Sequence, residues 1–230
     1  MANNYYDATG VLALDQVTPV ITALFGGFNL DPAYPGNGRA YIARISESND
    51  PQWDDVQEGL ADLAATLGLD RPDQDDESPL AGILRVLAAH FGAEDDEALE
   101  NLIEQHAFED GADLEALFLV ATCFDDGHHL AAIQFEGCWH CSKPRLFEFG
   151  GDACFLSREV RLFGASTHAM ELGEQLRKAV LTVDAEEASA LIALEAVSVL
   201  SGINDDAFRS RLRRRVAERL FDPPASGDTA

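Results

Sequence analysis

The stretch from Cys123 to Phe163, CFDDGHHLAAIQFEGCWHCSKPRLFEFGGDACFLSREVRLF, most restricts what this chain can fold into. Three pieces of it follow a two-residue period. His129 to Phe135 is short and largely apolar. Arg145 to Phe149 alternates Leu146 and Glu148 with Phe147 and Phe149. Cys154 to Phe163 alternates along its whole length. Period-two patterning in Phe-, Leu-, Val- and Ile-rich segments is what a half-buried strand requires. Gly150-Gly151-Asp152 reads as a hairpin between the last two, because glycine enters positive φ cheaply. The expectation is a small antiparallel β-meander with one face covered.

Helical signals flank it. Thr18-Pro19, Asp50-Pro51 and Ser78-Pro79 each place a helix start before an apolar periodicity, and Gly26, Gly68 and Gly92 follow as stops. A helix tolerates proline in its first turn, where an N–H has no partner anyway. Residues 94–106 and 112–122 predict two more helices. Beyond the meander, residues 167–181 predict another, Asp184 with Glu187 a capping box, and Asn204 the cap of a last helix. Residues 11–14 and 39–45 suggest strands, and 29–38 is turn chemistry. The fold class is therefore α+β, with the meander packed against flanking α-helices. One globular unit is expected over 1–222. It comprises an acidic, mostly helical lobe (1–122), the meander (123–163) and C-terminal helices (164–222), with a disordered tail at 223–230.

Charge is unevenly distributed. The chain carries 41 acidic and 16 basic residues, a net charge of −25. Residues 1–142 hold 27 acidic residues against Arg39, Arg44, Arg71 and Arg85, whereas residues 143–230 hold 14 acidic and 12 basic ones. Such a field repels nucleic acid and attracts basic surfaces. Candidate partner-binding carboxylates are Asp54, Asp55, Glu58, Asp62, Asp75, Asp76, Glu94, Asp95, Asp96 and Glu97. Rows of this kind along helices can imitate phosphates, and they equally make a solvated surface or complement helix dipoles. The last helix carries Arg209, Arg211, Arg213, Arg214 and Arg215. These suit phosphates, or they pair with the acidic half, within the molecule or across a homodimer.

All four cysteines lie in the central stretch. Cys138-Trp139-His140-Cys141 is read as a turn. Two thiolates at this spacing can share a tetrahedral ion, with His128 and His140 as further candidate ligands and zinc as the implied metal. The same pattern is a weak thiol-redox signal, since Ser142-Lys143-Pro144 follows instead of a helix that would lower a thiol pKa. It is also what two buried, inert thiols beside a tryptophan look like. Asp125, Asp126, His128, His129, Glu136 and His140 could supply acid–base groups; Asp125 to Gly127 is also ordinary turn chemistry. The start of the sequence shows no basic segment followed by an apolar run, and no apolar run approaches membrane-spanning length. The expectation is a cytoplasmic protein without membrane association.

The pieces YYDATGVLALDQVTPVITALFGGFNLD, PGNGRAYIARI and EGCWHCSKPRLFEFGG resemble a family of uncharacterised proteins carried on integrative conjugative elements of proteobacteria. The resemblance implies a bacterial mobile-element protein and brings no catalytic residues with it. The leading expectation is a non-enzymatic acidic protein that engages a basic protein surface, as a nucleic-acid mimic in its sharpest form. The alternative is a metal-dependent or thiol enzyme built on the CWHC cluster.

Overall fold

The computed structural model describes residues 4–69, 78–143 and 148–221. The chain divides into two compact units, Met1–Ser157 and Arg158–Ala230, and the boundary falls inside the stretch expected to form the meander. The fold is α+β.

Unit 1 holds strands β1 (Asn4–Ala13), β2 (Asp31–Pro35), β3 (Arg39–Ile45), β4 (Ala132–Cys141) and β5 (Gly150–Ser157). Its helices are α1 (Pro19–Phe25), α2 (Trp53–Thr66), α3 (Pro79–Phe91), α4 (Glu97–Gln105) and α5 (Leu114–Cys123). The strands run in the order β2-β3-β1-β4-β5, and the pairs are antiparallel. The centre is thus β1, which pairs over ten residues with β4, from Asn4 opposite Cys141 to Ala13 opposite Ala132. The sequence suggests a strand only over residues 11–14 of β1. Its alternation of Tyr6, Ala8, Gly10 and Leu12 with Tyr5, Asp7, Thr9 and Val11 is the signal for the full strand.

One face of the sheet is dry. Ala8, Leu12, Ala40, Ile42, Ile133, Phe135 and Leu156 join a single core with Ile21, Leu24, Phe28, Leu117 and Phe124 from the helical layer. Gly10 is required in the middle strand, because a Cβ there would run into the carbonyl of Gln134 and the ring of Phe135. Gly59 on α2 has the same role between helices: a Cβ there would lie 2.5 Å from the carbonyl oxygen of Ala23 on α1.

Several local expectations are corrected. Gly150-Gly151-Asp152 is not a hairpin; it opens β5 and pairs with Trp139, Cys138 and Gly137. Trp139 lies against Gly150, where any side chain would collide with the indole. Glu148 and Phe149 lie outside any strand, and residues 145–147 of the expected second strand lie outside the described residues. The alternating run Cys154–Phe163 breaks at residues 158–160, between β5 and β6 (Arg161–Ala165). Residues 31–35 form a short strand despite their turn-like composition. Helix α2 starts at Trp53, where Gln52 and Asp55 form a capping box. Thr18 does not cap α1; the Asp126 carboxylate, 106 residues away, accepts the Val20 N–H at 3.2 Å instead.

Unit 2 contains β6 and helices α6 (Ser166–Leu181), α7 (Ala185–Ser201) and α8 (Asp206–Phe221). Asp184 caps α7 as expected, accepting the Glu187 N–H at 2.9 Å. The last helix is capped by Asp205, which accepts the Phe208 N–H at 2.8 Å, while the Asn204 side chain donates to the Arg158 carbonyl at 2.5 Å. Helices α6 and α7 pack against each other, and α8 follows against α7.

Candidate functional site

Two surfaces of unit 1 carry chemistry, the outward face of the sheet and the acidic face of the helices. Strand alternation creates the first. Thr9, Val11, Tyr41, Gln134, Glu136 and Phe155 point away from the core, and Tyr34 and Arg39 complete a shallow depression of about 570 Å³. The Tyr34 and Tyr41 rings meet edge to face at 5.7 Å.

At the other end of this face the register sets Cys138 directly opposite Asp7, and His140 opposite Tyr5. His140 Nε2 lies 3.3 Å from Asp7 Oδ2, and the Tyr5 ring stacks on the imidazole at 5.2 Å between centroids. Asp7 also accepts the Ser46 N–H at 2.8 Å. That backbone bond, with the His140 hydrogen bond, holds its carboxyl below the usual carboxylate range. Asp7 thereby fixes the orientation of His140, as an acid orients a base in many catalytic pairs. Cys138 is exposed on the same face.

The CWHC segment is the end of a strand, not a turn, and this changes what it can do. In a strand, residues three apart point to opposite faces. Cys141 is buried and Cys138 exposed. The structure does not bring the four suggested metal ligands together: His128 sits beneath α5 and His140 on the outward sheet face. Among the described residues, no group of three or more His, Cys, Asp or Glu side chains is placed to hold a metal ion. Cys154 is half-buried, and burial, followed by the charges of Asp152 and Glu115, pushes its thiol up to about 11.

The DDGHH segment serves as a structural latch. Asp125 Oδ1 accepts the N–H groups of Gly127 and His129, closing a turn. Burial raises the Asp125 pKa, but those two bonds outweigh it and leave the group below its ordinary value. His128 is buried, with Nε2 3.1 Å from the Ala121 carbonyl and Nδ1 accepting the Leu130 N–H at 2.8 Å. Nε2 must therefore carry the proton. Burial lowers the His128 pKa despite the Asp125 and Asp126 charges. Both ring nitrogens are used, so this histidine is part of the scaffold. His129 is exposed and bonds Asp15 at 2.8 Å, which raises its pKa.

The acidic surface is built mainly on α2. Asp54, Glu58 and Asp62 are exposed and follow one another at four-residue steps, about 6 Å each along the axis. Asp55 is occupied by the Gln52 N–H. Glu94, Asp95 and Glu97 are exposed ahead of and at the start of α4, while Asp96 caps that helix through Ala98 and Leu99. Asp75 and Asp76 lie outside the described residues. Unit 1 as a whole contains 29 acidic and six basic residues. Of those six, Arg44 is bound to Asp50 at 2.5 Å and Arg85 to Glu100 at 2.7 Å. On α8, Arg209 binds Asp206 and the Ile203 carbonyl, Arg215 pairs with Glu218 at 3.2 Å, and Arg211 lies over the Phe208 ring.

Tyr5 and Asp7, the partners of His140, lie ahead of residues 11–14, the part of β1 that the sequence suggests as strand, and alternation with Tyr6 and Ala8 is the signal that could have found them. No protein-family model, no curated protein and no solved structure matches this chain. No helix among the described residues is long and apolar enough to cross a membrane.

Proposed function

We propose that unit 1 is an acidic, non-enzymatic binding module that engages a basic surface on another protein. One observation carries this reading: 29 acidic residues face six basic ones in that unit, and the Asp54, Glu58 and Asp62 row stands exposed without an ion pair among the described residues. Exposed like charges destabilise a compact unit through self-repulsion, and a basic partner relieves that repulsion. The sharper form of the proposal is imitation of nucleic acid, with the α2 carboxylates taking the places of phosphates in a basic groove. The resemblance to mobile-element proteins makes counter-defence or element maintenance the setting that fits.

An arginine-rich peptide tests the reading directly. Its affinity should fall steeply with added salt, since exposed charge contacts are screened. The variant Asp54→Asn/Glu58→Gln/Asp62→Asn should weaken binding about fivefold, the sum of three contacts each worth a few tenths of a kcal/mol. Binding that ignores both salt and these substitutions defeats the proposal. Competition by duplex DNA for the same basic partner separates the nucleic-acid mimic from a general acidic surface.

The geometry of Asp7, His140 and Cys138 favours a second reading, thiol chemistry on the outward sheet face. The measurement is the alkylation rate of Cys138 against pH. A reactive thiol should lose rate about tenfold in His140→Gln, since a positioned base contributes on that order or more. A rate equal to that of a free cysteine, unchanged in His140→Gln, removes this reading.

A further inference from the structure

We infer that unit 2 is a homodimerisation module, in which the α6–α7 hairpin and α8 pack against the same elements of a second copy. The starting observation is a deficit of burial. Among the described residues of unit 2 the buried hydrophobic side chains are Ala179, Leu191 and Leu200. Thirteen large hydrophobic residues of that unit are exposed, among them Val180 at 66%, Leu181 at 65%, Ile192 at 54%, Leu194 at 63% and Val199 at 58%. Together, spread over the unit, they present on the order of 1,000 Å² of apolar surface, and large exposed apolar areas mark interaction sites.

Helix α7 shows where the surface is centred. Its sequence, AEEASALIALEAVSVLS, is apolar around the whole circumference: Leu191 and Leu200 point inward, while Ile192, Leu194, Val197 and Val199 point elsewhere. A helix hydrophobic on all sides belongs inside a larger core than one neighbour supplies. Helix α8 is similar in kind: it has no buried residue, although Phe208, Leu212, Val216 and Leu220 form a stripe. A 16-residue helix that buries no side chain in its own unit is marginal in water.

The occupant is a second copy for two reasons. First, the described residues of unit 1 present no apolar counterpart. Its exposed large hydrophobics among the described residues are Tyr34, Leu67, Phe149 and Phe155, and its surface is dominated by carboxylates. Second, unit 2 is electrostatically self-complementary. It has 12 acidic and ten basic residues, so two copies do not repel as two acidic units would. The start of α7 carries Glu186 and Glu187 with no cation on that helix, while Arg213 and Arg214 on α8 have no carboxylate partner among the described residues. A two-fold axis needs both halves of each contact on one chain, and these charges provide them.

The test is sedimentation velocity with light scattering on the full chain, from dilute to concentrated solution. The expected mass is twice 24.9 kDa. Leu194→Glu/Val197→Glu, both exposed in the protomer, should raise the dimer dissociation constant about 100-fold, since centrally placed contacts dominate an interface, with an unchanged far-UV spectrum. If that variant loses helicity, Leu194→Ser decides the point, with a smaller rise of about tenfold. A single-chain mass at every concentration overturns the inference. So does a dimer that the variants leave intact, or a monomer that uses α7 to bind a different protein.

Discussion

Units 1 and 2 solve the same problem in different ways. In unit 1, 37 hydrophobic residues are buried and four large ones exposed among the described residues; in unit 2 the numbers are three and 13. The charge runs the other way, heavily negative in unit 1 and close to balanced in unit 2. A unit that buries its apolar surface internally can devote its exterior to charge. A unit that does not must be completed by association, and near-neutrality favours association with itself.

The largest test of this contrast is truncation. Phe124 is fully buried at the heart of unit 1, and Phe124→Ala should cost about 3–5 kcal/mol in urea unfolding. Leu194→Ala in unit 2, at a dilution where chains are separate, should cost under about 0.5 kcal/mol. Equal costs would mean that unit 2 has a core of its own.

His128 gives the next effect. Its replacement by Ala strands the Ala121 carbonyl and the Leu130 N–H, which should cost about 2–3 kcal/mol. The pH dependence has a definite sign. Burial lowers its folded pKa below the ordinary 6.5, so the unfolded chain binds the proton more readily. Its contribution is complete above pH 6.5 and declines as pH falls below that value. Denaturation at stepped pH should show this slope in the native protein and not in His128→Ala.

Asp126→Ala is expected to cost about 1 kcal/mol, the usual worth of a helix N-cap, because the Val20 N–H loses its acceptor. Hydrogen exchange would show faster opening at the start of α1, with unit 2 unaffected.

The smallest effect belongs to unit 2. His168 Nε2 lies 2.7 Å from Glu195, and that hydrogen bond, followed by the charge, raises its pKa. The sign is opposite to that of His128: any stabilisation is complete below pH 6.5 and is lost as pH rises through the raised folded pKa. NMR titration should place His168 above 6.5, and Glu195→Gln should bring it back; a His168 that titrates normally in the native chain would show that α6 and α7 are not joined there.

Much of the helical layer was legible in advance. Pro79 and Gly92 bracket α3, with Gly92 at a φ of 70°, and Asp184 and Gly202 bracket α7. These are local devices, in which a proline, a capping carboxylate or a left-handed glycine acts within one turn of chain. The sheet was harder to read. Its central strand pairs with residues up to 137 positions away, and the alternation along β1 is diluted by Asp7, Gly10 and two tyrosines, so it marks a core strand only weakly. The candidate site shows the same division. The acidic row on α2 follows from helical spacing alone. The pairing of Asp7 with His140, with Cys138 on the same face, depends on register, and extending β4 through CWHC turned one apparent cysteine pair into two thiols on opposite faces.

The sequence by itself determined the fold class, the helix limits set by caps and stops, and the concentration of negative charge before residue 143, because each depends on neighbours in the chain. Only the tertiary structure decided that Asp126 caps α1, that His128 is a structural strut, and that the apolar residues of α7 lack a cover. Those facts depend on which surfaces meet, and periodicity names the faces of an element without naming what lies against them.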